Sequence, residues 1–356
     1  MKKTLVAIAA LAAVGAASAQ SSVTLYGRID ASLGSVKTTT GGTTTADPGI
    51  QIRSGGHTGS RWGLRGTEDL GGGLKANFTL EQGFNVDDGQ ASSTRQFHRQ
   101  AFVGLSGGFG SLNIGRQYDI TDNMYGLYDP TGYSGYSAMG YAFNVGCVVG
   151  AGSVGGGSGD CVGRQDNTVM YTTPSMGGFS IAAMWAPGED KLVTGQAGAP
   201  YSGGKVYGAM ANYANGPIAM GLGWQSNKSA AARNARSDIN FGASYNLGAA
   251  KLFLQLEQGR NKNNGAGFDG KDRGFGIGAV IPFGAASLTA AYAAEDQKIG
   301  GNDVSDSKAF SLIGRYDLSK RTYVYAAFLR GETDPTAAAA PTVKRQQYGL
   351  GLVHNF

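Results

Sequence analysis

Asp238-Ile239-Asn240-Phe241-Gly242-Ala243-Ser244-Tyr245-Asn246-Leu247 is the stretch whose reading decides the fold. Ile239, Phe241, Ala243, Tyr245 and Leu247 alternate with Asp238, Asn240, Gly242, Ser244 and Asn246. A period of two sends successive side chains to opposite faces of an extended strand, so this stretch has one apolar and one polar face. Outward from it the beat repeats. Leu252, Leu254 and Leu256 lie among Lys251, Phe253, Gln255 and Glu257; Phe275, Ile277, Ala279 and Ile281 alternate almost wholly with glycines. Val23, Leu25, Ile29, Ala31 and Leu33 alternate with Thr24, Tyr26, Arg28, Asp30 and Ser32.

Sixteen such runs are expected strands: 23–35, 61–70, 74–85, 97–106, 111–117, 167–173, 179–186, 205–213, 217–226, 237–247, 250–260, 273–282, 286–295, 307–318, 322–330 and 344–356. Short connections such as Gly71–Gly73, Gly107–Gly110 and Gly248–Ala249 alternate with long polar ones, 36–60, 86–96, 187–204, 227–236, 261–272, 296–306 and 331–343. Short turns at one end and long loops at the other are the pattern of an outer-membrane barrel. A soluble β-sandwich has fewer strands and needs its apolar faces for a two-sheet core. Here the polar face mixes Gly, Ser, Asn, Arg, Asp and Gln, as a water-filled interior would. Closure removes the sheet edges and, in lipid, leaves no backbone group unpaired. The fold class is all-β, a 16-stranded antiparallel transmembrane barrel. Sixteen strands leave an aqueous channel where eight would fill their own interior.

Composition narrows the class further. Sixty glycines without a three-residue period exclude collagen, and the low charge content of 15% argues against a disordered chain. Lys2 and Lys3, the apolar run Leu5 to Ala17 and the small-residue Ala17-Ser18-Ala19 read as a signal peptide over 1–19, with the barrel over 20–356. Removing those two lysines takes the formal net charge from +5 to +3, too mild for a nucleic-acid partner. Three histidines, His57, His98 and His354, with no G-x-S-x-G elbow give no catalytic constellation, and the chain reads as no enzyme. No cofactor is expected. A divalent cation at the acidic loop pairs Asp87-Asp88 or Asp303 with Asp306 is the one metal reading, against a plain solvated face.

The longest connection runs from about 118 to 164. It carries Tyr118, Tyr125, Tyr128, Tyr133, Tyr136, Tyr141 and Phe143, together with Cys147 and Cys161. So long a loop, so rich in aromatics, is an ordered insertion with a function. Two cysteines in an exported chain, separated by a glycine-rich segment, are expected to form a disulfide. Mass spectrometry with and without reductant tests it, and a free-thiol pair would refute it.

Several stretches together resemble the general diffusion porins of the Gram-negative outer membrane. They are Gln20-Ser21-Ser22-Val23-Thr24-Leu25-Tyr26-Gly27, Ser60-Arg61-Trp62-Gly63-Leu64-Arg65-Gly66-Thr67-Glu68-Asp69-Leu70, Arg99-Gln100-Ala101-Phe102-Val103-Gly104-Leu105 with Gly115-Arg116-Gln117, and the terminal strand Tyr348 to Phe356. The resemblance implies a homotrimer in contact with outer-membrane lipids and lipopolysaccharide. It implies a third extracellular loop folded into the lumen, and a passive channel for small hydrophilic solutes and ions. Tyr348, Leu350, Leu352 and the terminal Phe356 are similar to the signal read by the barrel-assembly machinery. The chain lacks the Pro-Glu-Phe-Gly stretch that enteric relatives carry in the third loop, which leaves the path of that loop open.

Strand parity names the lining. With Leu25, Ile29, Trp62 and Leu64 facing lipid, Arg28, Arg61 and Arg65 face water and resemble the family's basic wall. Arg116 shares the parity of Leu112 and Ile114, which points it outside the wall unless its strand end sits at the trimer centre or curls with the loop, and Arg99 falls near the rim. Asp119, Asp122 and Asp129 of the long loop are the expected acidic partners. Rings and walls of charge set pore selectivity, so a mild anion preference is expected. The competing readings are a substrate-specific anion channel and a surface adhesin or structural barrel without significant transport.

Overall fold

A computed structural model describes residues 22–143, 163–187, 205–228, 234–263, 268–336 and 340–356. The expected signal peptide and the Cys147–Cys161 bridge lie outside the described residues.

The barrel strands are β1 (Ser22–Thr40), β2 (Arg61–Gly71), β3 (Leu74–Gly83), β4 (Gln100–Gly107), β5 (Gly110–Tyr118), β6 (Arg164–Thr172), β7 (Phe179–Ala186) and β8 (Val206–Asn215). They continue as β9 (Ile218–Lys228), β10 (Asn234–Asn246), β11 (Lys251–Asn263), β12 (Phe268–Phe283), β13 (Ala286–Ile299), β14 (Asn302–Asp317), β15 (Thr322–Pro335) and β16 (Val343–Asn355). Every neighbouring pair is antiparallel, and β16 returns to β1 in register from Arg28↔Asn355 to Thr40↔Val343, closing the sheet. The terminal Phe356 exchanges two backbone hydrogen bonds with Gly27, 3.0 and 3.1 Å, so the last residue seals the seam. The sixteen strands are those that the alternation predicts.

Side-chain direction follows parity. Leu25, Leu33, Ile239, Leu252 and Leu350 point outward and are exposed, while Asp30, Asn240, Gln255, Ser311 and Gln347 point inward and are buried. This inversion of a soluble protein is what a lipid solvent selects.

Several loops are shorter than the sequence suggests. The expected connection 296–306 is strand almost throughout: β13 and β14 meet in a two-residue turn, Gly300–Gly301, with φ of +58° and +89°. Two positive-φ residues suit the twist of a hairpin, and glycine adopts them freely. Likewise β11 and β12 extend well into 261–272. Where strands rise above the lipid, their outward face has no reason to be apolar, so the alternation fades while the ladder continues. Lys298 and Asp303, paired at 2.6 Å, hold one such extension together.

The hydrophobic core is inside the barrel. The third loop carries α1 (Ile120–Tyr128) and α2 (Ala138–Ala142). α1 lies on β8–β11 and α2 on β12–β15. Tyr125, Tyr136, Met139, Ala142 and Phe143 pack on Ala291, Ala293, Ala309, Ile313, Ala327 and Leu329 of the wall. Small wall residues make room for the large loop residues. Three glycines go further: a Cβ at Gly242 would strike the Tyr128 ring at 2.3 Å, one at Gly274 would meet Phe143 at 2.6 Å and one at Gly276 would meet Met139 at 2.7 Å.

Candidate functional site

Because the helices of the third loop are plastered on β8–β15, with Ile120 also packed among Met170 of β6 and Ala182 and Met184 of β7, the side of the lumen away from them is faced by β1–β5 and the start of β6. That wall is basic. Arg28 and Arg61 sit opposite each other on β1 and β2, and Arg65 sits opposite Thr24 with the same inward parity. The guanidinium of Arg65 lies 5.1 Å from the Tyr26 ring centre. Arg28 donates from Nε to Asn355 at 2.6 Å and from Nη1 to Thr58 at 3.1 Å; Arg61 donates to Thr58 at 3.4 Å.

Two more arginines complete the wall. Arg99, just before β4, donates to Glu81 at 2.7 Å and to the Tyr118 hydroxyl at 2.9 Å. Arg164, at the start of β6, donates to the same hydroxyl at 2.9 Å. Glu81 also accepts from Tyr26 at 3.1 Å and lies 4.0 Å from Arg61. A buried carboxylate inside such a cluster ties the arginines together without neutralising them: five guanidiniums face Glu81 and Asp30. Sequence parity missed Arg99, Arg164 and Glu81 as a unit. The inward aspect of Glu81, two strands from Arg28, was the available signal.

Arg116 is placed differently. A bulge between β5 and β6 pairs Gly115 with Thr168 but Gln117 with Gln165, and Asn167 takes a φ of +54°. Arg116 donates to the His98 carbonyl and pairs with Asp166 at 2.7 Å, as Arg95 does. It belongs to this rim cluster and not to the Glu81–Tyr118 network.

The loop acids are mostly turned into their own loop. Asp119 caps α1, accepting from the Asp122 amide at 2.8 Å and from Gln225 at 3.1 Å. Asp129 accepts from the amide and hydroxyl of Thr131, 2.8 and 2.9 Å, and from Ser137. Asp122 is the one beside the basic wall: a Cβ at Gly163, next to Arg164, would collide with its carboxylate. Burial, and then the Asp119 charge, raises the Asp122 carboxyl to about 7 against the pull of Arg164 and Arg99. Below that pH the group is neutral, and above it a negative charge appears beside the arginines. Any chloride preference should therefore fall as pH rises from about 6 to about 8. Zero-current potentials across that range check it, and a preference that rises with pH would contradict the assignment.

The first loop also enters the lumen, which the sequence did not reveal. Fully buried Asp30 accepts from the amides of His57 and Thr58 at 2.8 and 2.6 Å and from the Tyr325 hydroxyl at 2.9 Å. The His57 ring packs against Tyr323 and Tyr325, and burial lowers it to about 4, so it stays neutral. Gly135 of the third loop donates to the His57 carbonyl at 3.0 Å, joining the two loops.

Behind α1, Asp238, Glu257 and Asp272 are close enough to share an ion. Arg236 stands among them, 2.6 Å from Asp238, 3.5 Å from Glu257 and 3.2 Å from Asp272, and Tyr125 donates to Glu257. A guanidinium thus takes the central place. Of the loop pairs proposed for a cation, Asp303 is paired with Lys298 and Asp88 accepts from the Gln90 amide at 2.9 Å.

Residues 4–336 match the family described as Gram-negative porin. The chain belongs to that family. The porin's relatives include the outer membrane porin protein 32 of Delftia acidovorans, 39% identical over 94% of this chain and 92% of the relative. An outer membrane porin protein of Bordetella pertussis is 34% identical over the full length of both. Among solved structures, a porin of Comamonas acidovorans described as anion-selective superposes with a TM-score of 0.79 at 32% identity, covering 95% of this chain and all of that one. The porin is a multi-pass β-barrel of the outer membrane and a passive diffusion channel.

Proposed function

We propose that this porin is mildly anion-selective and works as a homotrimer. One observation carries the selectivity: the lumen wall left open by the third loop presents Arg28, Arg61, Arg65, Arg99 and Arg164, while the larger acidic group, around Arg236, lies beneath α1. Fixed positive charge on one wall raises the local concentration of anions and lowers that of cations without binding either tightly. Asp122 supplies the negative side of the transverse field once ionised. The description of the Comamonas porin as anion-selective supports the reading. The trimer is carried from the family resemblance.

Proteoliposomes test it. They should swell faster in an anionic sugar acid than in a cationic amino sugar of similar size, with rates that fall with solute size. Equal or reversed rates would remove the selectivity. Separately, native mass measurement of the detergent-extracted protein should return three chains.

A further inference from the structure

The lumen holds a second basic group outside the Glu81–Tyr118 network. Arg53 lies on a short ladder of the first loop, Gln51–Ser54, opposite Ser32 of β1. Arg345 lies on β16 opposite Thr38, with the inward parity of buried Gln347, to whose Oε1 it donates at 2.9 Å. The third loop sets Tyr136 between them. Its hydroxyl hangs over Gly349, where a Cβ would meet it at 2.3 Å. Tyr136 is fully buried and lies in the field of both guanidiniums, which also act on each other.

Three donors in this corner are buried and, among the described residues, make no close hydrogen bond: Arg53 Nη1, Arg345 Nε and the Tyr136 hydroxyl, whose nearest partner is the Gln347 side chain. Neither arginine is ion-paired among the described residues. The carboxylates that reach the corner are engaged elsewhere. Asp30 is held by His57, Thr58 and Tyr325, and Glu332 by Lys308 at 3.4 Å and Lys344 at 3.6 Å. Buried donors are normally satisfied, and two neighbouring guanidiniums repel unless something negative sits with them. A planar guanidinium presents donors in a fork that fits carboxylate and phosphate oxygens, and a phenol adds a neutral third donor.

We propose that Arg53, Arg345 and Tyr136 form a docking site for a small oxyanion, a carboxylate or phosphate, in the lumen beside the first loop. The basic wall attracts any anion by charge; this site selects those with oxygens to share among three donors. It makes the pore retain oxyanions briefly while chloride passes.

Inorganic phosphate is the probe. Native trimers in planar bilayers, in about 0.1 M KCl to limit screening, should show a chloride current that falls saturably as phosphate is added. Tyr136→Phe removes a donor and no charge. It should weaken the apparent phosphate affinity about tenfold, as loss of a hydrogen bond to an ion does, with the zero-current potential in KCl unchanged. Arg345→Lys keeps the charge but loses the fork and should weaken phosphate similarly. A strictly linear response to phosphate, or saturation in Tyr136→Phe and Arg345→Lys unchanged from the native channel, overturns the site. The zero-current potential reads the basic wall independently, so the two assignments stand or fall apart.

Discussion

Channels carrying Arg28→Ala together with Arg65→Ala are expected to lose most of their chloride preference while assembling normally. Both side chains face the lumen, and neither is ion-paired to a carboxylate among the described residues: Arg28 bonds Asn355 and Thr58, and Arg65 lies against Tyr26. Removing them subtracts two positive charges from the open wall, while buried Asp30, on which Arg28 acts, keeps its hydrogen bonds from His57, Thr58 and Tyr325. The stability cost should stay near that of ordinary hydrogen bonds, about 1 kcal/mol each. Arg99→Ala is the contrasting variant. It leaves Glu81, 4% exposed, with Arg61 at 4.0 Å as its remaining cation. Breaking a buried pair from one side costs about 3 kcal/mol or more, so this variant should lower the thermal transition of the folded barrel. Zero-current potentials and melting curves on the two variants separate charge that selects from charge that also holds the wall together. Unchanged selectivity in the Arg28/Arg65 variant would take both residues out of the narrow region.

The second large effect comes from the far wall. Gly242→Val would drive a side chain into Tyr128, whose ring and Cβ lie within 2.6 Å of the added Cβ position. The wall strand is fixed by ladders on both sides, so the third loop must give. Its free direction is toward the arginine wall, across the water path. Single-channel conductance should therefore fall, and the overpacked loop should cost about 1–3 kcal/mol. Gly276→Val, under Met139, should act in the same direction. The double variant Gly242→Val/Tyr128→Ala relieves the clash and should regain conductance. An increase in conductance in Gly242→Val alone would mean that the loop does not border the pore where α1 places it.

These two walls show what alternation can and cannot reveal. The strands were readable because lipid demands an apolar face on every crossing segment, and Ile239, Phe241 and Tyr245 betray it. Parity then placed Arg28, Arg61 and Arg65 inside. It failed where lipid no longer acts. The hairpin at Gly300–Gly301 stands clear of the apolar belt, and its residues read as loop. The bulge at Asn167 resets the register beside Arg116. Arg99 and Arg164 sit at strand ends, where parity has too few residues to lean on. The first loop was opaque for another reason: Gly55, Gly56 and Gly59 have no periodicity, and what pulls that loop inward is the single buried carboxylate of Asp30. The loop acids Asp119 and Asp129 looked like pore charges, yet a short acidic side chain at a helix end serves the backbone first.

The most direct test of the account is the zero-current potential of the native channel in a potassium chloride gradient at a pH below about 7, where Asp122 is neutral. A basic wall facing the lumen beside the third loop predicts a potential of the sign set by chloride. A potential set by potassium would contradict it.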